Sequence, residues 1–491
     1  MRVNVDIPAG VYANGTARQS RGRWRDSNLV RWPDGNNLQP VGGWLVKTSS
    51  PVSGKARAIL PWASNGGTRY AAIGTHSKLY AMDAAGALYD ITPVGFTTGY
   101  ADATSATGYG GSTYGTSAYG VARPDSSALI PASTWSLDVW GQYLVGCMDG
   151  DGKLYEWQLS TGTKAAVLSA APTGCTGIVV TAERFIFALK DRTVYWCAQG
   201  DNTDWTASST DQAGDQDLDT AGRLLTGRRV SGGTLLFTSA DVWLARYQGL
   251  PTVYGFQRVG SDCGIVGKGA AVSMDSRCVW MGRDAFYMYD GSVNALPCDV
   301  ADYVFSDISS SQISKVSAWH NVQFGEVWWH YPSADSTICD RYVKWNYLRG
   351  HWDYGLIDRT CGCAPSVFNY PMAVDSSGNV YDHERGWSWD STPYVRSGPF
   401  EWPGEMGGAD RRLMVTGFVP DEGTQGESQV TFYGRENPNM TETTFGPYTI
   451  STSPVDVLFS TRELEAKISF TTAADARVGT FEIDIKPVSK R

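Results

Sequence analysis

Three nine-residue segments of this chain align without a gap, and they limit its possible folds more than any other feature. They are MDAAGALYD at 82–90, MDGDGKLYE at 148–156 and VDSSGNVYD at 374–382. Each contains an aspartate, a glycine three residues later and then an apolar residue followed by tyrosine. Aspartate accepts hydrogen bonds from its own turn backbone, and glycine adopts positive φ without strain. The pattern therefore predicts a tight β-hairpin at each place.

Aromatic strands recur along the chain at a nearly constant distance. One aromatic residue taken from each strand gives intervals of 40 to 48 residues for the series Tyr155, Tyr195, Trp243, Tyr287 and Trp328. A period of this length that consists only of strands is typical of four-stranded propeller blades. The sequence therefore predicts an all-β fold, with a β-propeller over residues 51–400.

Two further regions differ from this blade pattern. Residues 99–120 are rich in Gly, Ser, Thr, Ala and Tyr, a composition that predicts a long inserted loop within about 95–134. Its Tyr-Gly pairs leave open whether it is a solvated loop, a contact loop or a gate.

Beyond residue 400, period-two alternation predicts a small β-sandwich or platform domain over 401–491. Residues 1–50, which have few periodic strands, are expected to join this sandwich or to cover a neighbouring surface.

The overall charge of the chain is acidic. Its 491 residues include 41 Lys and Arg against 50 Asp and Glu, which gives a net charge of −9 and a pI of about 5.2. A general nucleic-acid binder would show a basic footprint instead. No apolar run is long enough to predict a membrane span, and Asp6 interrupts the region where a secretion signal would be apolar. The nine cysteines, an odd number in a long chain, are expected to be reduced and mostly buried.

The N-terminal region departs from this acidic balance. Residues 2–31 contain six arginines, no lysine and only two acids, with tryptophans between them. Because Arg and Trp concentrate binding energy at interfaces, we predict that this segment docks onto an acidic surface of a neighbouring subunit or partner protein. The alternatives are a nucleic-acid contact and local stacking of arginine on tryptophan. The predicted interface residues are Arg18, Arg21, Arg23, Trp24, Arg25, Arg31, Trp32 and Trp44.

No catalytic constellation can be read from the sequence. The five histidines form no zinc motif, and no nucleophile elbow or phosphate-binding loop is present. Cys361 and Cys363 lack a second ligand pair, so we expect two neighbouring free thiols. Asp215, Asp217 and Asp219 have the oxygen density of a Ca²⁺ loop without its glycine and closing glutamate, which favours a solvated turn over a cation site. We therefore expect no enzyme and no cofactor, although a carboxylate pair for glycoside hydrolysis stays open.

The region from 193 to 291 resembles the propeller of tail hub proteins of short-tailed bacteriophages, the nozzle or tail tubular protein B class. The resemblance rests on Asp204-Trp205 after an aromatic strand, on a glycine-spaced turn before a strand that ends at Phe237, and on a later Gly-rich step. The opening GRWRDSNLVRW…GGW also resembles the N-terminal segments of that class. The resemblance covers about two-thirds of the chain and implies a structural protein of the virion tail, assembled in the host cytoplasm.

This class implies a homohexameric ring below the head-to-tail adaptor protein, which continues the DNA ejection channel and carries tail fibres or spikes. It implies no catalytic residues. We expect the genomic DNA to pass without sequence-specific binding, since an acidic wall offers few cations to capture phosphates. Two alternatives stay open: a glycan-binding propeller adhesin, whose exposed Trp and Tyr would stack on sugars, and a glycan-cleaving enzyme built on the propeller.

Overall fold

The computed structural model describes residues 1–108, 123–208, 212–274, 276–400, 412–450 and 453–489. The N-terminal region contains short strands and one 3₁₀ turn, Ala17–Ser20. Among these strands only β3 and β4 pair with each other. The strands are β1 (Arg2–Val5), β2 (Trp24–Asn28), β3 (Val30–Arg31), β4 (Gln39–Pro40) and β5 (Trp44–Val46).

The central part of the chain folds into successive four-stranded antiparallel sheets, each a propeller blade. Blade 1 contains β6 (Ala56–Ala63), β7 (Arg69–Thr75), β8 (Leu79–Asp83) and β9 (Leu88–Asp90), and is followed by the inserted hairpin β10 (Thr104–Gly108) and β11 (Arg123–Ile130). Blade 2 contains β12 (Trp135–Trp140), β13 (Tyr143–Met148), β14 (Leu154–Trp157) and β15 (Ala166–Val167). Blade 3 contains β16 (Gly177–Val180), β17 (Ile186–Lys190), β18 (Thr193–Trp196) and β19 (Gly214–Asp217). Blade 4 contains β20 (Leu224–Val230), β21 (Gly233–Thr238), β22 (Val242–Gly249) and β23 (Val253–Gly260).

The remaining blades follow after blade 4. Blade 5 contains β24 (Ala271–Met274), β25 (Arg277–Met281), β26 (Phe286–Tyr289) and β27 (Val293–Leu296), and is followed by helix α1 (Ala301–Asp307) and a 3₁₀ turn, Ile313–Lys315. Blade 6 contains β28 (Ser317–Asn321), β29 (Glu326–Tyr331), β30 (Arg341–Asn346) and β31 (His351–Leu356). Blade 7 contains β32 (Cys361–Cys363), β33 (Met372–Val374) and β34 (Val380–His383), and its outermost strand is β5.

The seven blades close into a ring, which confirms the predicted β-propeller. The innermost strands of successive blades are neighbours, and β32 of blade 7 contacts β6 of blade 1. Blade 7 is completed from the N-terminal side, because Trp44, Leu45 and Val46 pair with β34. Because strands from the N-terminal and C-terminal sides of the propeller pair within one blade, the first and last blades are held together by backbone hydrogen bonds.

The C-terminal strands form two packed sheets together with strands from elsewhere in the chain. The strands not yet given are β35 (Tyr394–Ser397), β36 (Arg412–Pro420), β37 (Ser428–Arg435), β38 (Thr443–Ile450), β39 (Val455–Thr461), β40 (Glu463–Ser469) and β41 (Phe481–Ser489). One sheet has the order β1-β41-β36-β39, and the other has the order β2-β35-β40-β37-β38. Rings from both sheets meet between them, as where Phe432 packs against Phe418 and Phe459. Residues 1–50 thus divide between the sandwich, which takes β1 and β2, and the propeller, which takes β5.

The three aligned segments are hairpins, as predicted. Asp83 accepts from the backbone N–H groups of Ala85 and Ala87, and Gly86 has a φ of 88°. The tyrosine of the repeat adds a bond that the sequence pattern did not indicate, since the Tyr89 hydroxyl donates to Asp83. The copy at 374–382 has the same bonds, while in the copy at 148–156 the tyrosine bonds to the second aspartate of the turn.

The interval of 40 to 48 residues predicts that its aromatic residues occupy equivalent positions in successive blades, and most of them do. Tyr155, Tyr195, Trp243 and Tyr287 all lie on the third strand of their blades, β14, β18, β22 and β26. Trp328 lies on the second strand of blade 6 instead. Blade 6 has aromatic residues on all four strands, and the interval alone does not distinguish them.

Propeller and sandwich share one hydrophobic core. A single cluster of buried residues contains Trp280 and Trp329 from blades 5 and 6, and Val415 and Phe432 from the two sheets of the sandwich. Strand β2 lies along β31, the outermost strand of blade 6. There the Ser27 hydroxyl donates to the Tyr354 carbonyl oxygen at 2.6 Å. A side chain of the sandwich thus provides a hydrogen-bond partner for a backbone group at the open edge of the blade.

Candidate functional site

The six arginines of residues 2–31, which we call the N-terminal comb, include Arg31. Arg31 lies at the centre of a buried ionic cluster between the propeller and the N-terminal segment. Its side chain is 2% exposed, and its guanidinium bonds to Glu326 at 2.9 and 3.1 Å and to Glu384 at 2.5 and 2.8 Å. The guanidinium also lies 3.6 Å from the ring centre of Phe324. Burial lowers the pKa of Arg31, but the two glutamates outweigh this effect and raise it above the ordinary value. Arg31 thus links the N-terminal segment to blade 6 and to the end of blade 7.

A second buried cation extends this cluster. Lys344 Nζ bonds to Glu326 at 3.0 Å, to the Val30 carbonyl oxygen at 2.9 Å and to Asp353 at 3.3 Å. With Arg31, the cluster holds two cations and two glutamates, so an ionised Asp353 adds one surplus negative charge. Burial raises the pKa of Asp353 to about 7, although Lys344 opposes the shift.

Four of the other arginines of the comb also bind acceptors of their own chain. The pairs are Arg2 with Asp484 at 3.0 Å, Arg18 with Glu463 at 3.0 Å, Arg23 with Asp299 at 3.2 Å, and Arg25 with the carbonyl oxygens of Tyr12 and Gly15 at 3.5 and 2.9 Å. Arg18 is nevertheless 56% exposed, whereas Arg23 is 33% exposed. Arg21 and Arg25 are partly exposed. Among the predicted interface residues, a partner can therefore reach only the side chains of Arg18, Arg21, Arg23 and Arg25.

The three tryptophans of the predicted interface are buried inside the chain. Trp24 and Trp32 belong to the core shared by propeller and sandwich, and they are 4% and 0% exposed. Trp44 lies on β5 and donates from Nε1 to Asp390 at 3.2 Å. The Arg359 guanidinium stacks over Trp44, 4.8 Å from the centre of its ring. Trp24 and Trp32 pack in the core at the joint between propeller and sandwich, and Trp44 lies on the strand that closes the propeller. None of the three rings therefore presents its face to a partner.

A group of exposed carboxylates lies at one end of the sandwich. Asp6 accepts from Asn36 at 2.6 Å, and the loop after Asn36 bridges to residue 478 at Leu38. The loop that carries Glu422 and Glu427 bridges through Gln425 to Arg477, next to the segment with Asp475. We call Asp6, Glu422, Glu427 and Asp475 the acidic end. All four are exposed, and none forms an ion pair with another residue that the structure describes.

The sequence did not reveal the acidic end, because its members are far apart along the chain. Positions 6, 422, 427 and 475 form no run and no spacing pattern. The pairing of β1 with β41 and the bridges of Leu38 to Val478 and of Gln425 to Arg477 bring them together. The one available signal was an excess of acids after residue 400, which by itself assigns no surface.

The described start of the predicted insertion crosses one face of the propeller. The segment before β10 crosses from blade 1 to the turn between blades 5 and 6, where Asp102 accepts from Lys315 at 2.5 Å. The Ala103 N–H donates to Gln312 at 3.0 Å in the same place. The part of the loop with most Tyr-Gly pairs, 109–120, lies outside the described residues, so its role as a gate or contact loop stays a prediction.

The weak metal candidate does not form a coordination cluster. Asp215 and Asp217 lie on β19 and are exposed, and Asp217 accepts from the Thr193 hydroxyl at 2.5 Å. Asp219 is exposed beyond the end of this strand. Within the described ranges, no group of three or more His, Cys, Asp or Glu side chains is placed to hold a metal ion.

All nine cysteines are free thiols, and eight of them are buried. Cys361 and Cys363 both lie on β32, the innermost strand of blade 7. Burial raises the pKa of Cys363 to about 12 and also raises that of Cys361. Both thiols are therefore protonated at neutral pH, which makes them poor nucleophiles and poor metal ligands.

Comparisons with known proteins bear on the fold. No protein-family description matches this chain, and no curated protein matches it in sequence. Similar solved structures include virginiamycin B lyase from Staphylococcus aureus, with a TM-score of 0.43 and 8% identity over 69% of this chain and 97% of the lyase. The WD40 domain of Neurospora crassa Pan2 has a TM-score of 0.37 and 7% identity over 71% of this chain and 95% of that domain. Both are β-propellers, and the likeness does not extend beyond the fold.

No helix in the described part of the chain combines the length and the apolar character needed to cross a membrane.

Proposed function

We propose that this chain is a structural protein of a short bacteriophage tail, the nozzle or hub that forms a ring below the adaptor. The proposal rests on the resemblance of residues 193–291 and of the N-terminal segment to that class. In this role the chain is a wall subunit: it transmits load between neighbouring rings and surrounds the DNA during ejection. It binds copies of itself, the adaptor protein and tail fibres or spikes.

The observation that carries the proposal is the joint between propeller and sandwich. One core passes through both, and the buried Arg31 cluster connects the N-terminal segment to blades 6 and 7. A wall subunit needs such a joint, because an interdomain linker would let the channel diameter vary. The core rings and charges at this joint are held in fixed geometry, so the two bodies are expected to move as one.

In this proposal the DNA passes between subunits of the ring and not along the propeller axis. The axial cavity of the propeller has a volume of about 700 Å³, which corresponds to roughly 20 water molecules at ~30 Å³ each. A double helix does not fit such a space. We place the acidic end toward the lumen, where its unpaired carboxylates repel phosphates and leave the DNA free to slide.

Assembly of the purified chain tests this proposal. We expect closed rings by negative-stain microscopy, and a particle mass several times that of the 53.4 kDa chain by light scattering. Replacing Arg18, Arg21 and Arg25 with glutamate tests whether the accessible part of the comb contacts a neighbour. Rings that persist in this variant would exclude the comb from the ring contacts, and a monomer at all concentrations of the wild-type chain would overturn the proposed function.

One feature of blade 7 favours a second candidate, a glycan-binding adhesin. Trp387 and Trp389 pack edge to face with their ring centres 6.2 Å apart, and both are partly exposed. Tyr370 is 38% exposed, and Arg385 stacks on it at 5.6 Å. Aromatic faces beside a guanidinium are suited to sugar rings. A glycan array probed with wild-type chain and with Trp387→Ala would show binding that this substitution removes.

A further inference from the structure

Two exposed arginines, Arg223 and Arg283, lie in the wall of one cavity beside the end of the inserted hairpin. This cavity has a volume of about 300 Å³, and Pro131, which follows β11, belongs to the same wall. The only carboxylate among its described lining residues is that of Asp149, which is already paired with Lys268 at 3.0 Å. The cavity therefore keeps two uncompensated positive charges in a chain whose net charge is −9.

The backbone of Arg223 is fixed to the turn between β21 and β22. The Arg223 N–H donates to the Ser239 hydroxyl at 3.2 Å, and the Arg223 carbonyl oxygen accepts from the Ser239 N–H at 3.0 Å. In the same turn, the Thr238 carbonyl oxygen accepts from the Ile265 N–H at 3.1 Å. This turn therefore joins Arg223 to the segment that connects blade 4 with blade 5.

The next residue of that segment connects to Arg283. The Val266 N–H donates to the Met281 carbonyl oxygen at 3.2 Å, and Arg283 follows two residues after Met281. Ile265 and Val266, which both line the cavity, thus lie between the two arginines. A cavity of this volume is about 8 Å across if it is taken as a sphere, so a single ligand inside it is within reach of both long side chains.

Both guanidinium groups are accessible and unpaired. Arg223 and Arg283 are exposed, and neither side chain forms an ion pair or a hydrogen bond with another residue that the structure describes. An arginine presents its N–H donors as a planar fork that fits two oxygens of a phosphate or carboxylate group. Ser239 and Ser310, also exposed in this wall, offer hydroxyl groups that donate to the same kind of oxygen.

From this arrangement we propose that the cavity binds a small oxyanion between Arg223 and Arg283. The ligand carries a phosphate or carboxylate group, whose oxygens accept from the two guanidinium groups and from the hydroxyls of Ser239 and Ser310. Because Lys268 is neutralised by Asp149, the site offers two positive charges, which match the charge of a dianion. The volume of about 300 Å³ corresponds to the smallest cavities that hold metabolite-sized ligands.

Calorimetric titration of the full chain at pH 7.5 and low salt tests the site, with inorganic phosphate and citrate as separate probes. We expect at least one of them to bind with a dissociation constant below about 1 mM, and to bind more weakly as salt is added. Binding of one probe alone identifies the group that the site selects, and binding of both identifies a site that recognises the charge of either group. Absence of binding by both probes up to about 10 mM would overturn the proposal.

Matched variants locate the binding. We expect Arg223→Gln and Arg283→Gln each to weaken it about threefold to tenfold, because each removes one charged donor group. Neither side chain has a partner in the described structure, so both variants are expected to melt at the wild-type temperature. Arg277→Gln is the control, since Arg277 is also exposed but begins β25, whereas Arg283 lies just beyond the other end of that strand.

The comparison of these variants also separates a site from general attraction. An equal loss of affinity in all three would show that the anion responds only to net charge, and unchanged affinity in both cavity variants would contradict the assignment. The titration does not depend on ring assembly, so it can fail while the tail role holds.

Discussion

Arg31 illustrates how much one residue of the N-terminal comb contributes to stability. Replacing it with glutamine leaves Glu326 paired with Lys344 alone and leaves Glu384 without an ion-pair partner among the described residues. Removing one partner from a buried ionic cluster typically costs about 3–5 kcal/mol. We expect Arg31→Gln to lower the free energy of unfolding by that amount, as measured by urea denaturation followed through tryptophan fluorescence.

The control for this measurement is Arg18→Gln. Arg18 also pairs with a glutamate, Glu463, but its side chain is 56% exposed. Pairs that are exposed on one side contribute about 0–1 kcal/mol. Equal losses in the two variants would show that burial of the cluster does not set its energy.

Asp353 in the same cluster gives a pH dependence of opposite sign to that of most carboxylates. Burial raises its pKa to about 7, above its ordinary value of 3.8. The folded chain therefore binds this proton more tightly than the unfolded chain, so stability from this group is present at low pH and is lost as pH rises from about 4 through 7. We expect Asp353→Asn to be more stable than wild type at pH 8 and to remove this part of the profile. Thermal melting from pH 5 to 8 measures the difference, and parallel profiles for the two proteins would contradict it.

At the scale of elements, β5 determines whether the propeller is closed. The Lys47 N–H, directly after β5, donates to the Val380 carbonyl oxygen at 2.7 Å. Lys47→Pro removes this donor, whereas Lys47→Ala keeps it and removes the same ion pair with Asp382. We expect the proline variant to be less stable than the alanine variant by about 1–3 kcal/mol. Hydrogen exchange should increase first in blade 7 and at its contact with blade 1, and uniform exchange through the propeller would argue against β5 as the closing element.

The elements differ in how well the sequence predicts them. The hairpins at 82–90 and 374–382 were predictable, because a short Asp-to-Gly spacing encodes the whole turn. Strand β5 was not, since three residues have no measurable period and its partner β34 lies far along the chain. The same applies to the Arg31 cluster. The excess of arginines was visible, but the identity of Glu326 and Glu384 as partners depends on the folded ring.

At the scale of the whole molecule, buried histidines make the fold sensitive to acid. Burial lowers the pKa of His330 to about 3 and that of His351 to about 4, and it also lowers the pKa of His383. These histidines therefore bind protons more weakly in the folded chain than in the unfolded chain. The free energy of unfolding consequently falls as pH decreases from about 6.5 toward 4. We expect melting temperatures to drop over this window and His351→Gln to drop less steeply. A steeper or equal drop in that variant would contradict the assignment.

Charge reversal tests the acidic end as a surface that faces DNA, a prediction that rests on the proposed ring. We expect assembled rings with Glu422→Lys, Glu427→Lys and Asp475→Lys to retain a short DNA duplex at least tenfold more than wild-type rings at low salt. Three exposed propeller carboxylates without an ion pair supply a control of equal charge: Asp284→Lys, Asp290→Lys and Asp335→Lys. Equal retention by the two triple variants in filter binding would show that the acidic end does not line the lumen.

The pairing of β5 with β34 also constrains the order in which the chain matures during synthesis. The ribosome makes β5 before blade 1, yet its partner emerges only after six blades have been translated. The partner of strand β1 is synthesised later still, because β1 pairs with β41. Until then the nascent chain exposes open strand edges, which are prone to pair with other chains. Productive folding thus depends on release of nearly the entire polypeptide, so slow or interrupted translation is expected to favour aggregation over assembly.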